Sequence, residues 1–404
     1  MADEAPQPAA DERPARRLRR VVRLIVRCSA LAAAAALVCG AAGDAARALP
    51  AAASPFLAAC SAVAARAVGV LAVACVPVLL ISMFRRRWLC RWACPTGLIL
   101  SAAGRLRGRA RRRKLPALGR WVALATLAGA CVGFPVLLWL DPLAIFTGAV
   151  GAAGGRLTAA GALAGGALAA LVLLSIALPG AWCGAICPLG ATQDLLAWPV
   201  RMLRRGRAPE GRILRSGLPR RGFLAAALGA AWAAAARHVA AGGRRPVLRP
   251  PGAVDEGRFA GLCVRCGNCV RACPSGVIRP DLGASGAPGF LTPVVGYEAG
   301  HCLADCCRCT EVCPTGAIRR LSLADKPAAR IGLAKVDMSI CLLAGSRECG
   351  VCIEHCPYGA IRAAFDEAYY TASLIIDPGR CNGCGLCEVV CVTSPRKAVT
   401  VVPV

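Results

Sequence analysis

The sequence predicts a chain of two fold classes. An α-helical membrane bundle, with four spans plus a fifth, signal-like span, precedes an α+β domain built on cysteine-rich loops. Three observations carry this expectation. Apolar segments of near-bilayer length recur through residues 21–241. Arginines gather in the alternate connections between them. Seventeen of the 26 cysteines fall within residues 263–391.

At 404 residues the chain is long enough for more than one domain, and its 57% hydrophobic content is high for a soluble protein. The net charge of +27 is uneven. Residues 1–241 carry 31 basic and 8 acidic side chains, and residues 242–404 carry 18 and 14. A basic chain invites a nucleic-acid reading. Here the charge lies between apolar segments, so the reading is a membrane protein with no nucleic-acid partner.

Residues 1–20 read as a cytoplasmic tail, and residues 21–217 as the four-helix membrane domain. The spans are expected at 21–43, 67–84, 121–140 and 157–179, with Arg23 and Arg27 snorkelling from the first. Residues 143–155 are apolar but short, and read as interfacial or re-entrant. Residues 13–27, 85–120 and 201–221 hold seven, twelve and eight basic residues, including Arg111-Arg112-Arg113-Lys114. The connections between hold only Arg47, Arg66 and Arg156, so the positive-inside rule places the three clusters in the cytoplasm. Cys28, Cys39, Cys60, Cys75 and Cys131 lie in or beside the apolar segments and read as small buried residues.

Two C-x3-C-P motifs, Cys90–Pro95 and Cys183–Pro188, fall at the same membrane face. Two thiols cannot fill a tetrahedral cluster site, but two pairs can. Cys90, Cys94, Cys183 and Cys187 are therefore expected to share one cluster, with redox-active or structural dithiols as the alternative. In Leu218-Pro219-Arg220-Arg221-Gly222-Phe223-Leu224 an arginine pair precedes an alanine-rich stretch that ends before Arg237. This looks like a twin-arginine export signal over residues 218–241. The plainer reading is the basic flank of a fifth span, and both readings export residues 242–404. Residues 242–256 form a linker rich in proline and arginine.

Residues 257–404 hold four cysteine groups. Cys263, Cys266, Cys269 and Cys273, then Pro274, form C-x2-C-x2-C-x3-C-P, the ferredoxin spacing in which thiolates hold a cubic iron–sulfur cluster. The second group is Cys302, Cys306, Cys307, Cys309 and Cys313. Cys302, Cys306, Cys309 and Cys313 are the favoured ligands, with Cys307 as the alternative to Cys306. The third is Cys341, Cys349, Cys352 and Cys356, and the fourth is Cys381, Cys384, Cys387 and Cys391. Zinc ribbons pair two C-x2-C knuckles at longer range and do not repeat this run, and a disulfide framework is the other rival. The fold expected is a ferredoxin-like polyferredoxin domain with four 4Fe-4S clusters. Short strands are expected at 276–278, 316–318, 359–361 and 398–401. Fourth cysteines cross to a partner cluster in two-cluster ferredoxins. Irregular leading spacings in the second and third groups suggest a nested pairing, first with fourth and second with third.

With both halves in view, residues 1–217 resemble the NapH-type membrane subunit of quinol-oxidising systems, through four spans and the two C-x3-C-P motifs. NapH-type proteins usually carry a further ferredoxin pair, whereas no cysteine follows Cys187 in residues 189–217. Residues 218–404 resemble NapG- and MauM-type periplasmic polyferredoxins. The matching features are the twin-arginine stretch, Cys263–Cys273, the wide spacing Cys341–Pro357 and Cys381-Asn-Gly-Cys-Gly-Leu-Cys-Glu. The resemblance implies an inner-membrane, multi-pass quinol dehydrogenase-type subunit without a terminal catalytic centre. It would pass electrons from the membrane quinone pool to a periplasmic cytochrome or reductase. The alternative is an assembly factor that reduces a metal centre of a respiratory enzyme. No Cys-x-x-Cys-His haem motif and no glycine-rich dinucleotide loop stands out. The three histidines are His238, His301 and His355, which excludes paired-histidine haem among the four spans. About 30 Å of hydrocarbon is expected between the membrane cysteines and the exported groups, too far for one efficient hop.

Overall fold

A computed structural model describes residues 12–106, 115–154, 159–204, 218–242, 246–298, 300–344, 347–367 and 371–404. The run Arg111–Lys114, much of the 201–221 basic segment and part of the linker lie outside these residues.

The helical half contains α1 (Glu12–Val38), α2 (Leu49–Ala52), α3 (Pro55–Ala65), α4 (Val76–Phe84), α5 (Trp88–Trp92), α6 (Pro95–Ala103), α7 (Leu118–Cys131), α8 (Pro142–Ala153), α9 (Ala159–Ala177), α10 (Pro188–Arg204) and α11 (Leu218–Gly242). Among the described residues, three stretches are long and apolar enough to cross a membrane: Arg17–Val38, Ala159–Ala177 and Gly222–Ala240. The first two coincide with the expected first and fourth spans. The expected second span is instead a 3-10 turn leading into α4 over 70–84, and the third stops at Cys131 as the short helix α7. A local cause ends α7. Gly133 takes a left-handed φ of 87°, the Phe134 amide reaches back to the Gly129 carbonyl at 2.9 Å, and Pro135 follows. Residues 45–65, expected as a connection, form a helix pair bent by 101°.

The signal-like segment, expected over residues 218–241, is a single helix, α11. Helix α11 packs along α7 through small residues, with Gly129 facing Ala233 and Gly229 facing Ala125. A methyl group at Gly229 would come within 2.6 Å of Ala125, so close approach depends on that glycine.

The second half comprises α12 (Glu256–Leu262), α13 (Asn268–Ala272), β1 (Ile278–Pro280), β2 (Pro293–Val295), α14 (Arg308–Glu311), β3 (Leu333–Val336), α15 (Val351–Glu354), β4 (Ile361–Asp366), β5 (Thr371–Ile376), α16 (Leu386–Val390) and β6 (Val399–Val402). The strands pair antiparallel as β1–β2, β3–β6 and β4–β5, with Lys335 opposite Thr400 in the second pair. Of the four expected strands, the one at 316–318 forms only an isolated bridge between Ile318 and Ala253.

One apolar core spans the seam between the halves, and a second, around Val277, Val295, Ile361 and Val399, lies within the second half. Phe56, Leu57, Leu138 and Leu189 of the bundle share the first with Phe259, Leu262 and Ile318. Polar ties cross the same seam: Arg308 meets Asp44 at 3.6 Å, and the Asn268 amide donates to the Arg47 carbonyl at 3.4 Å. Of the scattered cysteines, Cys60 and Cys75 are buried as expected, but Cys28, Cys39 and Cys131 are exposed. An apolar helix has an outward face, and span membership alone does not bury a residue.

Candidate functional site

The two C-x3-C-P motifs are built by the same local geometry. Trp182–Ile186 is a π-helical turn, and the Cys187 amide closes it on the Trp182 carbonyl at 2.8 Å. The Cys94 amide makes the equivalent bond to the Leu89 carbonyl, also at 2.8 Å. Each proline then opens a helix, where its missing N–H costs nothing. Cys94 caps α6, its sulfur accepting from the Gly97 amide at 3.3 Å, and Gly190 stands in the same relation to Cys187.

This folding brings Cys90, Cys94, Cys183 and Cys187 within electrostatic reach of one another. A polar layer supports them. Buried Gln193 donates to the Cys90 sulfur at 3.2 Å and accepts from the Leu89 amide at 3.2 Å. Arg87 donates to the Cys183 carbonyl at 2.9 Å, and Asp194 clamps Arg86 and Arg87 at 2.5 and 2.8 Å. Spacing arguments over cysteines miss this layer. Its one sequence signal is Asp194, a lone acid among apolar and basic neighbours. The repeat is also asymmetric there, because Leu100 and Ser101 occupy the matching positions after Cys94.

In the second half, fourth cysteines cross between adjacent groups. Cys263, Cys266, Cys269 and Cys313 line one hollow of about 460 Å³. Cys273, Cys302, Cys306 and Cys309 line a second of about 360 Å³. Cys356, Cys381, Cys384 and Cys387 press on one another as a third set. Cys341, Cys349, Cys352 and Cys391 line a hollow of about 340 Å³. The nested expectation is therefore corrected to an adjacent one. The cause is helix packing: α13 docks on α14, and α15 on α16, so each pair of groups exchanges its closing cysteines. Irregular leading spacing is absorbed in each group's own loop.

Of the crowded pair, Cys306 lines the second hollow. The Cys307 sulfur lies 3.8 Å from the Ser322 carbonyl. Glycine follows each C-P turn with a left-handed φ, at Gly276, Gly316 and Gly359, and lets the chain leave the loop. Backbone amides reach the thiols, from Ile318 to Cys313 at 3.4 Å and from Ala360 to Cys356 at 3.3 Å. His355 is exposed and its ring nitrogen bonds the Val351 carbonyl at 2.9 Å.

Each donor set is four thiols, and all 26 cysteines are free, which suits a thiolate-held group such as an iron–sulfur cluster. Burial pushes Cys266 and Cys387 up to about 12, and Cys352 and Cys384 up to about 11. Neighbouring thiols push the same way.

Contacts connect the sites in series. The Thr96 hydroxyl, two residues after Cys94, donates to the Pro142 carbonyl at 2.8 Å. Further along α8, a methyl group at Gly148 would lie 3.7 Å from the Cys266 carbonyl. Six residues of α8 separate these contacts, about 9 Å along its axis. Helix α8, capped by buried Asp141, which accepts from Ser54 at 2.6 Å and from the Leu143 and Ala144 amides, thus touches both cysteine regions. Beyond the first two hollows, the Cys302 amide donates to the Cys384 carbonyl at 2.9 Å, and the Tyr297 hydroxyl donates to the Gly383 carbonyl.

The 4Fe-4S dicluster domain family matches residues 262–317 and 347–394, each segment holding cysteines of two adjacent groups. The 4Fe-4S binding domain family matches residues 67–114 and 160–207, one C-x3-C-P motif in each. The chain is 36% identical over 164 residues to ferredoxin-type protein NapG of Escherichia coli K12, covering 39% of this chain and 70% of that protein. It is 36% identical over 163 residues to methylamine utilization ferredoxin-type protein MauM of Methylobacillus flagellatus, covering 39% and 68%. Ferredoxin-type protein NapF of Haemophilus influenzae is 30% identical over 154 residues, covering 38% and 77%. No solved structure matches the chain.

Proposed function

Because the chain belongs to the NapG and MauM family of ferredoxin-type proteins, we propose that it conducts electrons from membrane quinol to a periplasmic cytochrome or reductase. On this reading a NapH-type quinol dehydrogenase unit is fused to a NapG/MauM-type polyferredoxin. The observation that carries it is the series of cysteine sites, joined through α8, Cys302–Cys384 and the docked helix pairs.

The reading assigns five ligand sets. Cys90, Cys94, Cys183 and Cys187 form the membrane site. The first site is Cys263, Cys266, Cys269 and Cys313, and the second is Cys273, Cys302, Cys306 and Cys309. The third is Cys356, Cys381, Cys384 and Cys387, and the fourth is Cys341, Cys349, Cys352 and Cys391. When bound there, 4Fe-4S clusters supply one-electron carriers in series. The chain's own part is to hold the thiols, exclude water with its two apolar cores and aim amides at sulfur. The inner face is the one bearing Arg23 and Arg27, which reach Arg91 and Ser101 beside the membrane site. The ferredoxin half then lies outside, exported with the segment beginning at Arg220 and Arg221.

The test is anaerobic reduction of the purified full chain by a quinol analogue, read by electron paramagnetic resonance. The protein is expected to carry about 16–20 iron atoms, four per cubane, and to show cluster signals after quinol addition. Stoichiometric zinc with little iron, or clusters that quinol never reduces, overturns the reading.

A further inference from the structure

Lys326 is fully buried beside the second site. Its ammonium donates to the carbonyls of Leu303 and Cys306, and it also reaches the Cys302 thiol. Cys307 and Cys309 lie within range of its charge. Among the described residues no carboxylate forms an ion pair with it. The adjacent Asp325 is taken up by the Ser322 hydroxyl at 2.6 Å, on the exposed side of the turn.

A buried charge is normally paired, because desolvation without a counter-charge is costly. Two carbonyl dipoles do not neutralise an ammonium. The remaining candidate is the second site itself, where Cys273, Cys302, Cys306 and Cys309 converge. Four thiolates around an iron–sulfur core are net negative, and more so after one electron is added. A fixed cation at that distance, in a medium of low polarisability, favours the reduced form.

Resting on the ligand reading above, we infer that Lys326 sets the reduction potential of the second site, raising it by direct charge stabilisation of the reduced state. The electron it favours comes from the first site and leaves to the third, and no other reactant is needed. Holding the Leu303 and Cys306 carbonyls also fixes the turn that presents Cys306 to the hollow.

The experiment is a potentiometric titration of the full-length, anaerobically purified protein, followed by electron paramagnetic resonance. The second-site signal is identified by its loss in Cys309→Ser. In Lys326→Met that signal is expected to shift to lower potential. At the unmutated midpoint its reduced-to-oxidised ratio falls about tenfold, about 59 mV for one electron, while the other signals stay. Lys326→Arg keeps the charge and is expected to restore the midpoint. Lys326→Gln keeps a donor for the carbonyls without the charge and is expected to follow Lys326→Met. An unchanged midpoint in variants with full iron overturns the inference. So does loss of second-site iron in both uncharged variants with retention in Lys326→Arg, which would make Lys326 a structural prop. Absence of second-site iron from the unmutated protein would instead overturn the ligand reading beneath it.

Discussion

In the helical half, each C-x3-C-P motif offers two thiols from the junction of two helices. In the ferredoxin half, each run offers three thiols from one loop and lends its closing cysteine to a neighbour. The first arrangement depends on helix packing and on a buried polar layer, Gln193 and the Arg86–Asp194–Arg87 clamp. The second depends on two short helices docking, on backbone amides aimed at sulfur and, at the second site, on buried Lys326. Damage should therefore spread differently. A lost closing cysteine in the ferredoxin half strikes the adjacent group's site, while a lost polar side chain in the helical half loosens the fold around an intact thiol set.

The largest expected effect tests the crossing. Cys313→Ser removes a cysteine that belongs by sequence to the second group and by position to the first site. The variant should lose about four iron atoms per chain, one cubane, and the missing spectrum should be the one removed by Cys263→Ser. Disappearance of the signal removed by Cys309→Ser would show that each group fills its own site. A smaller effect probes the helical half. Asp194→Ala leaves two arginines without their shared carboxylate, itself only 4% exposed. The cost should be about 2 kcal/mol, below the range for a fully buried pair, because the Arg86 side chain is 44% exposed. Thermal melting should fall while iron in the ferredoxin half stays constant. Equal iron loss in both halves would mean that the shared core makes them one cooperative unit.

Legibility in the sequence tracks physical range. The cysteine loops are local, so spacing identified the four groups and both C-x3-C-P motifs. The pairing of groups is tertiary. Nothing in the run around Cys313 says whether α14 docks on α13 or on α15, and irregular loop spacing proved a poor guide. Helices α1 and α9 were legible because composition alone sets a span. The shortness of α7 was signalled by Gly133 and Pro135, which punctuate the apolar run. The burial of Lys326 had no such signal, since a lysine in a polar loop reads as solvated until the chain closes over it.

The smallest expected effect separates two adjacent cysteines. By composition Cys306 and Cys307 are equivalent, and either would give a workable leading spacing. Their surroundings differ. Cys306 lines the second hollow with Cys273, Cys302 and Cys309. Cys307 precedes α14, its carbonyl accepting from the Thr310 amide at 2.9 Å, while its sulfur is the one near the Ser322 carbonyl. Its buried thiol thus does the work of a small apolar residue with a weak donor. Cys307→Ala should remove that packing at a cost of about 1 kcal/mol and leave iron per chain unchanged. Cys306→Ala should release about four iron atoms, one cubane, and abolish the second-site signal. Iron counting on the two variants decides between them: if Cys307→Ala is the one that loses the cubane, the turn held by Lys326 presents the other thiol, and the second site's ligand set must be rewritten with Cys307 in place of Cys306.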